Sequence, residues 1–176
     1  MGSGNRLEIM TSTLSGYRDA SMDTAAHDPP ACDSAGGDPD EVARRCAAAM
    51  LRADAAGRDA GVRLLDVGPG RARAGLTVAA RHVNGHGICH GGYLFLLADA
   101  AFAYACNSHG TSTVASGADI TFVRPVPLGA ELVAEATERV LAGRSGVYDV
   151  TVRVGAEVVA EFRGRSRQVP GLPPPG

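Results

Sequence analysis

The chain has 176 residues, 45% of them hydrophobic, and a formal net charge of -2, which suits one domain built on one core. All 17 basic residues are arginines scattered along the chain, and without a basic stripe no nucleic-acid partner is expected. No apolar run approaches the roughly 20 residues of a membrane span, and Met1 to Met22 lacks the basic and apolar regions of a signal peptide, so the expectation is a cytoplasmic protein with no membrane partner.

Residues 1–39 are rich in Ser, Thr, Asp, Ala and Gly, end in the cluster DPPACDSAGGDP, and show no apolar periodicity, which predicts a flexible tail over 1–38. The domain proper is expected over 39–169. It starts with EVARRCAAAMLRADAAG, where Val42, Cys46, Met50 and Ala53 share one face and Gly57 is a stop signal; a helix over about Pro39 to Ala56 follows. Val62 to Val67 and Arg71 to Ala79 flank the turn signal GPG and predict a β-hairpin.

HVNGHGICHGG, dense in Gly and His, must be a loop, and it feeds into YLFLLADAAFAYACNSHG. A helix apolar almost all round is normally buried. TVASGADITFVRPV, ELVAEATERVLA, GVYDVTVRVG and EVVAEFRGRSRQV then read as four consecutive antiparallel strands parted by Pro and Gly signals, before a Pro-rich tail over 170–176. The order is helix, two strands, buried helix, four strands. It predicts an α+β domain in which an antiparallel sheet wraps a central helix, the hotdog architecture, with open sheet edges that favour pairing with a second subunit. Cys32, Cys46, Cys89 and Cys106 form no CxxC pair and are expected to be reduced thiols.

Asp99 interrupts the apolar run from Leu94 to Ala103. A carboxylate is expensive to desolvate, so it is paired, protonated, turned to one solvated stripe, or put to chemical use. At the helix start, His90-Gly91-Gly92 puts two residues without side chains where backbone N–H groups have no intrahelical acceptor. The glycines either permit the turn or present a donor to a developing oxyanion. His90 and Asn84 complete the loop and either contact substrate or hold the backbone that presents Gly91. Cys89 lacks a His/Asn triad signature. His82 and His86 also lie here, but a Gly-rich loop without an acidic ligand lacks zinc-site geometry, and no metal is expected.

Gly91 and Asp99 are eight positions apart, about 12 Å along a helix. One small reacting group cannot touch both. If both act on one carbonyl, Asp99 must come from a partner subunit's facing helix, and an obligate dimer follows.

NGHGICHGGYLFLLADAAFAYACNSHG, then VASGADITFVRPV, GVYDV and FRGRS, closely resembles the phenylacetyl-CoA (PaaI-type) hotdog thioesterases over about Val62 to Gln168. The family pattern is an Asn, a His-Gly-Gly and an acidic residue nine positions after that His, matched here by Asn84, His90-Gly91-Gly92 and Asp99. The resemblance implies hydrolysis of an arylacetyl-CoA, with Asp99 as nucleophile or general base and the Gly91 N–H polarising the thioester carbonyl. It further implies that Asn84 and His90 support loop and substrate, and that a homodimer or a dimer-of-dimers tetramer forms. Gly92, Arg124 and Arg144 are assigned to the CoA portion of the substrate, the two arginines near its phosphates by similarity; no separate cofactor is expected. A hotdog hydratase or dehydratase pairs a catalytic His with an acidic residue at other spacings. A non-catalytic acyl-CoA sensor coupled to DNA would need a helix-turn-helix that the segment before Asp40 does not contain.

Overall fold

The computed structural model describes residues 37–171. The expected tails over 1–38 and 170–176 thus lie almost wholly outside the described residues. Helix α1, Pro39–Ala53, starts where Asp38 accepts from the Asp40 N–H and Pro39 supplies a preset φ. It stops earlier than the sequence predicts. Asp54 takes an extended conformation (φ -78°, ψ 91°) and caps a second short helix, α2 (Ala55–Ala60), which closes at Gly61 in the left-handed region (φ 84°). Gly57, expected as the stop, lies inside α2.

The hairpin strands are β1 (Arg63–Gly68) and β2 (Arg71–Thr77), followed by a 3-10 turn over Ala80–His82. Helix α3 spans Gly91–Asn107, and strands β3 (Thr113–Phe122), β4 (Glu131–Ala142), β5 (Ser145–Val154) and β6 (Glu157–Gln168) complete the domain. One six-stranded antiparallel sheet runs in the order β1-β2-β4-β5-β6-β3. Of the last four strands only β4, β5 and β6 pair in sequence order. β3 crosses to the outer edge against β6, which corrects the reading of four strands simply laid side by side.

The sheet curls around α3, whose Leu97, Ala98, Ala101, Phe102 and Ala105 are buried against Leu76, Leu132, Tyr148 and Val150. Its outer face carries exposed ion pairs, including Arg163 to Asp149 at 2.6 Å and Arg73 to Glu135 at 3.1 Å. Pairs so open to water contribute little stability. Two surfaces remain uncovered. Gly92, Phe95, Leu96, Asp99 and Ala103, which follow the i, i+3, i+4 repeat of one helix face, form a stripe of α3 that the chain only partly buries. The outer edge of β3 is the other, with Val114, Phe122 and the adjoining Val123 exposed. No described helix is long and apolar enough to cross a membrane.

Cys89 and Cys106 are free. Cys46 is disulfide-bonded, which corrects the expectation of a reduced thiol there; Cys32 lies outside the described residues.

Candidate active site

The loop before α3 is tied to itself. The Asn84 N–H donates to the Ile88 carbonyl at 2.8 Å and the Gly87 N–H to the Asn84 carbonyl at 3.0 Å, while Asn84 Oδ1 accepts from the His86 N–H at 2.9 Å. The loop is stitched to the fold by the His90 N–H donating to the His82 carbonyl and the Cys89 N–H to that of Val126, each at 2.8 Å. Asn84 thus uses its oxygen to hold the loop, and its Nδ2 forms no hydrogen bond among the described residues.

His90 is the N-cap of α3, its Nδ1 accepting from the Gly92 N–H at 2.9 Å. That bond commits one ring nitrogen to building the helix start. It also uses the Gly92 N–H, so Gly92, exposed on the open stripe, has no backbone donor left for CoA. The Tyr93 N–H reaches the His90 carbonyl at 2.9 Å. The Gly91 N–H has no acceptor among the described residues and sits at the positive end of a 17-residue helix.

Gly91 also lines a cavity of about 440 Å³ with Asn84, Leu94, Phe122 and Arg124. Phe122, which the sequence does not single out, stands over it: a Cβ on Gly91 would lie 2.8 Å from Phe122 Cζ. Any side chain at position 91 would require that exposed ring to shift. Arg124 is anchored by Nη1 donating to the Val158 carbonyl at 2.6 Å. Arg144 lies in the β4–β5 turn, its carbonyl accepting from the Gln168 N–H. Val158 and Gln168 are near opposite ends of β6, roughly 30 Å apart at strand spacing. One chain therefore does not bring the two arginines together.

Asp99 opens elsewhere. It borders a cavity of about 450 Å³ with Phe102, Cys106, Ser112 and Val114, and another of about 370 Å³ with Met50, Asp54, Leu96 and Tyr104. It is half-buried and forms no hydrogen bond or ion pair among the described residues. Burial, and secondarily the charge of Asp54, hold its carboxyl above the ordinary range. Gly91 and Asp99 share none of these three cavities. Asp54, like Phe122, is absent from the sequence motif; its one signal is that Asp is a preferred N-cap residue.

Burial pushes the Cys89 thiol up, disfavouring a thiolate there. His82 is fully buried against Tyr93, with ring centroids 4.5 Å apart, whereas His86 and His90 are exposed. The three imidazoles therefore do not converge on one point. No cluster of three or more His, Cys, Asp or Glu able to hold a metal occurs among the described residues.

Comparison with known proteins gives the family of the chain. The Thioesterase superfamily profile matches residues 86–161. The acyl-coenzyme A thioesterase PaaI of Escherichia coli is 44% identical over 124 residues, 70% of this chain and 89% of that protein. A putative esterase of Archaeoglobus fulgidus is 38% identical over 58% of this chain and 67% of its own length. The structure of the E. coli PaaI protein from the phenylacetic acid degradation operon superposes with a TM-score of 0.74 and 41% identity, covering 76% of this chain and 98% of that one. A variant of the phenylacetic acid degradation protein PaaI from Thermus thermophilus superposes with a TM-score of 0.64 and 36% identity, over 66% of this chain and 100% of that one.

Proposed function

We propose, from the premise that this chain belongs to the PaaI-type acyl-CoA thioesterases of the hotdog fold, that it hydrolyses an arylacetyl-CoA, such as phenylacetyl-CoA or a hydroxylated relative, to the free acid and CoA. The observation that carries this reading is the division of the machinery along α3. An unused N–H at Gly91 faces one cavity, and an unpaired carboxylate at Asp99 faces others. Neither half is sufficient alone.

In this reading two protomers meet with their α3 stripes facing, so that Gly91 of one and Asp99 of the other flank the same thioester. The open edge of β3 and the partly buried stripe of α3 support such pairing. Asp99 either attacks the carbonyl carbon or takes a proton from the water that does. The carbonyl oxygen gains charge as the new C–O bond forms, and the Gly91 N–H at the helix start stabilises it. Collapse breaks the C–S bond, and CoA leaves as the thiolate and takes up a proton; where Asp99 is the nucleophile, water then cleaves the acyl–Asp99 anhydride, releasing the acid and restoring the carboxylate. His90 positions the donor, and Asn84 Nδ2 is free to meet the substrate.

Arg124, at the rim of the Gly91 cavity, faces the CoA phosphates. Arg144 takes part only if a neighbouring protomer brings it across. The acyl group occupies the apolar space beside Asp99, where Phe102 and Tyr104 already belong to the core and Phe95 stays exposed. A homodimer or dimer-of-dimers tetramer in the cytoplasm completes the proposal. Free-thiol release from a panel of acyl-CoAs tests it: arylacetyl thioesters should give the highest kcat/KM, and a straight-chain acyl-CoA turned over faster than any of them would overturn the substrate assignment.

A further inference from the structure

The break between α1 and α2 sets a second carboxylate beside Asp99. Asp54 ends α1 and caps α2, its Oδ1 accepting from the Gly57 N–H at 2.9 Å. Gly57 provides the room, because a Cβ there would collide with Asp54 Oδ2. The carboxylate so held lines the 370 Å³ cavity that Asp99 also lines, under Met50, Leu96 and Tyr104. We propose that Asp54 is a positioning residue for Asp99: a second carboxylate fixed at the shared cavity, whose negative charge governs how readily Asp99 gives up and takes a proton. This inference rests on the reading of Asp99 as the working carboxylate.

Among the described residues of one protomer, no other ionised group lines the two cavities that Asp99 borders. In the two cavities that Asp99 borders, α1 contributes Met50 and Ala53, and the start of β3 contributes uncharged side chains. The remaining titratable neighbours, Tyr104 and Cys106, come from α3 itself. Burial raises the Tyr104 phenol, and it pushes the Cys106 thiol up to about 12, so both are neutral at physiological pH. No arginine lines either cavity. A like charge at close range disfavours ionisation of its neighbour, and it acts in the same direction as the burial of Asp99. A stronger base takes a proton from water more readily, provided it is still ionised at the working pH.

Asp54→Asn separates this role from helix capping, since Asn caps a helix about as well as Asp. In the full-length protein, the carboxyl carbon of Asp99 is followed by NMR against pH, alongside the pH dependence of kcat/KM. Expected in the variant are an Asp99 titration moved to lower pH, an acid limb moved the same way, and thermal unfolding at neutral pH at or slightly above the wild-type temperature. Below the wild-type limb, kcat/KM relative to its plateau should rise by about twofold or more. An Asp99 titration identical to wild type overturns the inference. Should Asp54→Asn fail to fold, Gly57→Ala, which keeps both charges but displaces the Asp54 carboxylate, must shift the same titration, and no shift overturns the inference equally. Loss of the Asp99 reading is seen separately, as full activity of Asp99→Asn.

Discussion

The ring of Phe122 occupies the space that any side chain at position 91 would need, with Cζ 2.8 Å from where a Cβ would stand. Gly91→Ala must therefore push aside either the ring or the helix start that presents the N–H. Phe122 is 52% exposed, so the fold should tolerate the change. Turnover should fall by about 10-fold or more, because loss of an oxyanion donor costs about 10² to 10³ in kcat. Adding Phe122→Ala to Gly91→Ala should recover part of the loss, and steady-state kinetics on the two singles and the double checks the coupling. Strict additivity would show that the ring has no part in presenting Gly91.

Replacing Asp99 by Asn retains shape and removes the charge. The amide cannot attack a carbonyl or accept a proton from water, so kcat should drop by about 100-fold or more. The donors at Gly91 and the contacts to CoA are untouched, so the Kd for a non-hydrolysable acyl-CoA should stay within about threefold of wild type. Wild-type turnover on every acyl-CoA tested would leave Asp99 as an ordinary stripe residue.

The same variant makes a prediction about stability and pH. Asp99 binds its proton more tightly in the folded chain than in the unfolded one, so the native state holds more protons between the two titrations and stability falls as pH rises through them. Asp99→Asn removes that penalty. Denaturant unfolding should find the variant more stable than wild type at neutral pH, with the difference closing as pH falls below the unfolded carboxylate value of about 3.9. A difference that grew on acidification would contradict the raised proton affinity.

A site shared by two protomers predicts complementation. Gly91→Val and Asp99→Asn should each be nearly inactive, but a mixed dimer contains one site with Gly91 from one chain and Asp99 from the other. Co-expression with two affinity tags should yield hybrids with about half the wild-type activity per dimer, and light scattering should find no active monomer. Hybrids as inactive as their parents would place both residues on one substrate within a single chain, against the 12 Å helical separation.

Much of this protein is written in local pattern. The hairpin around Pro69, the apolar helix after Gly91 and the strands at the C-terminal end are legible because periodicity and turn residues act over a few neighbours at a time. The same holds for the pairing of a His-Gly-Gly helix start with a carboxylate eight positions after its first glycine, since helical rise alone converts that spacing into a distance. The break at Asp54 is weaker, because strong helix formers on both sides hide a side chain that prefers to cap. Phe122 over Gly91, Asp54 beside Asp99 and the separation of Arg124 from Arg144 carry no local signature at all. They depend on β3 crossing to the outer edge of the sheet and on α1 and α2 packing against α3. Those contacts join residues tens of positions apart, and only the closing of the sheet around one helix sets them.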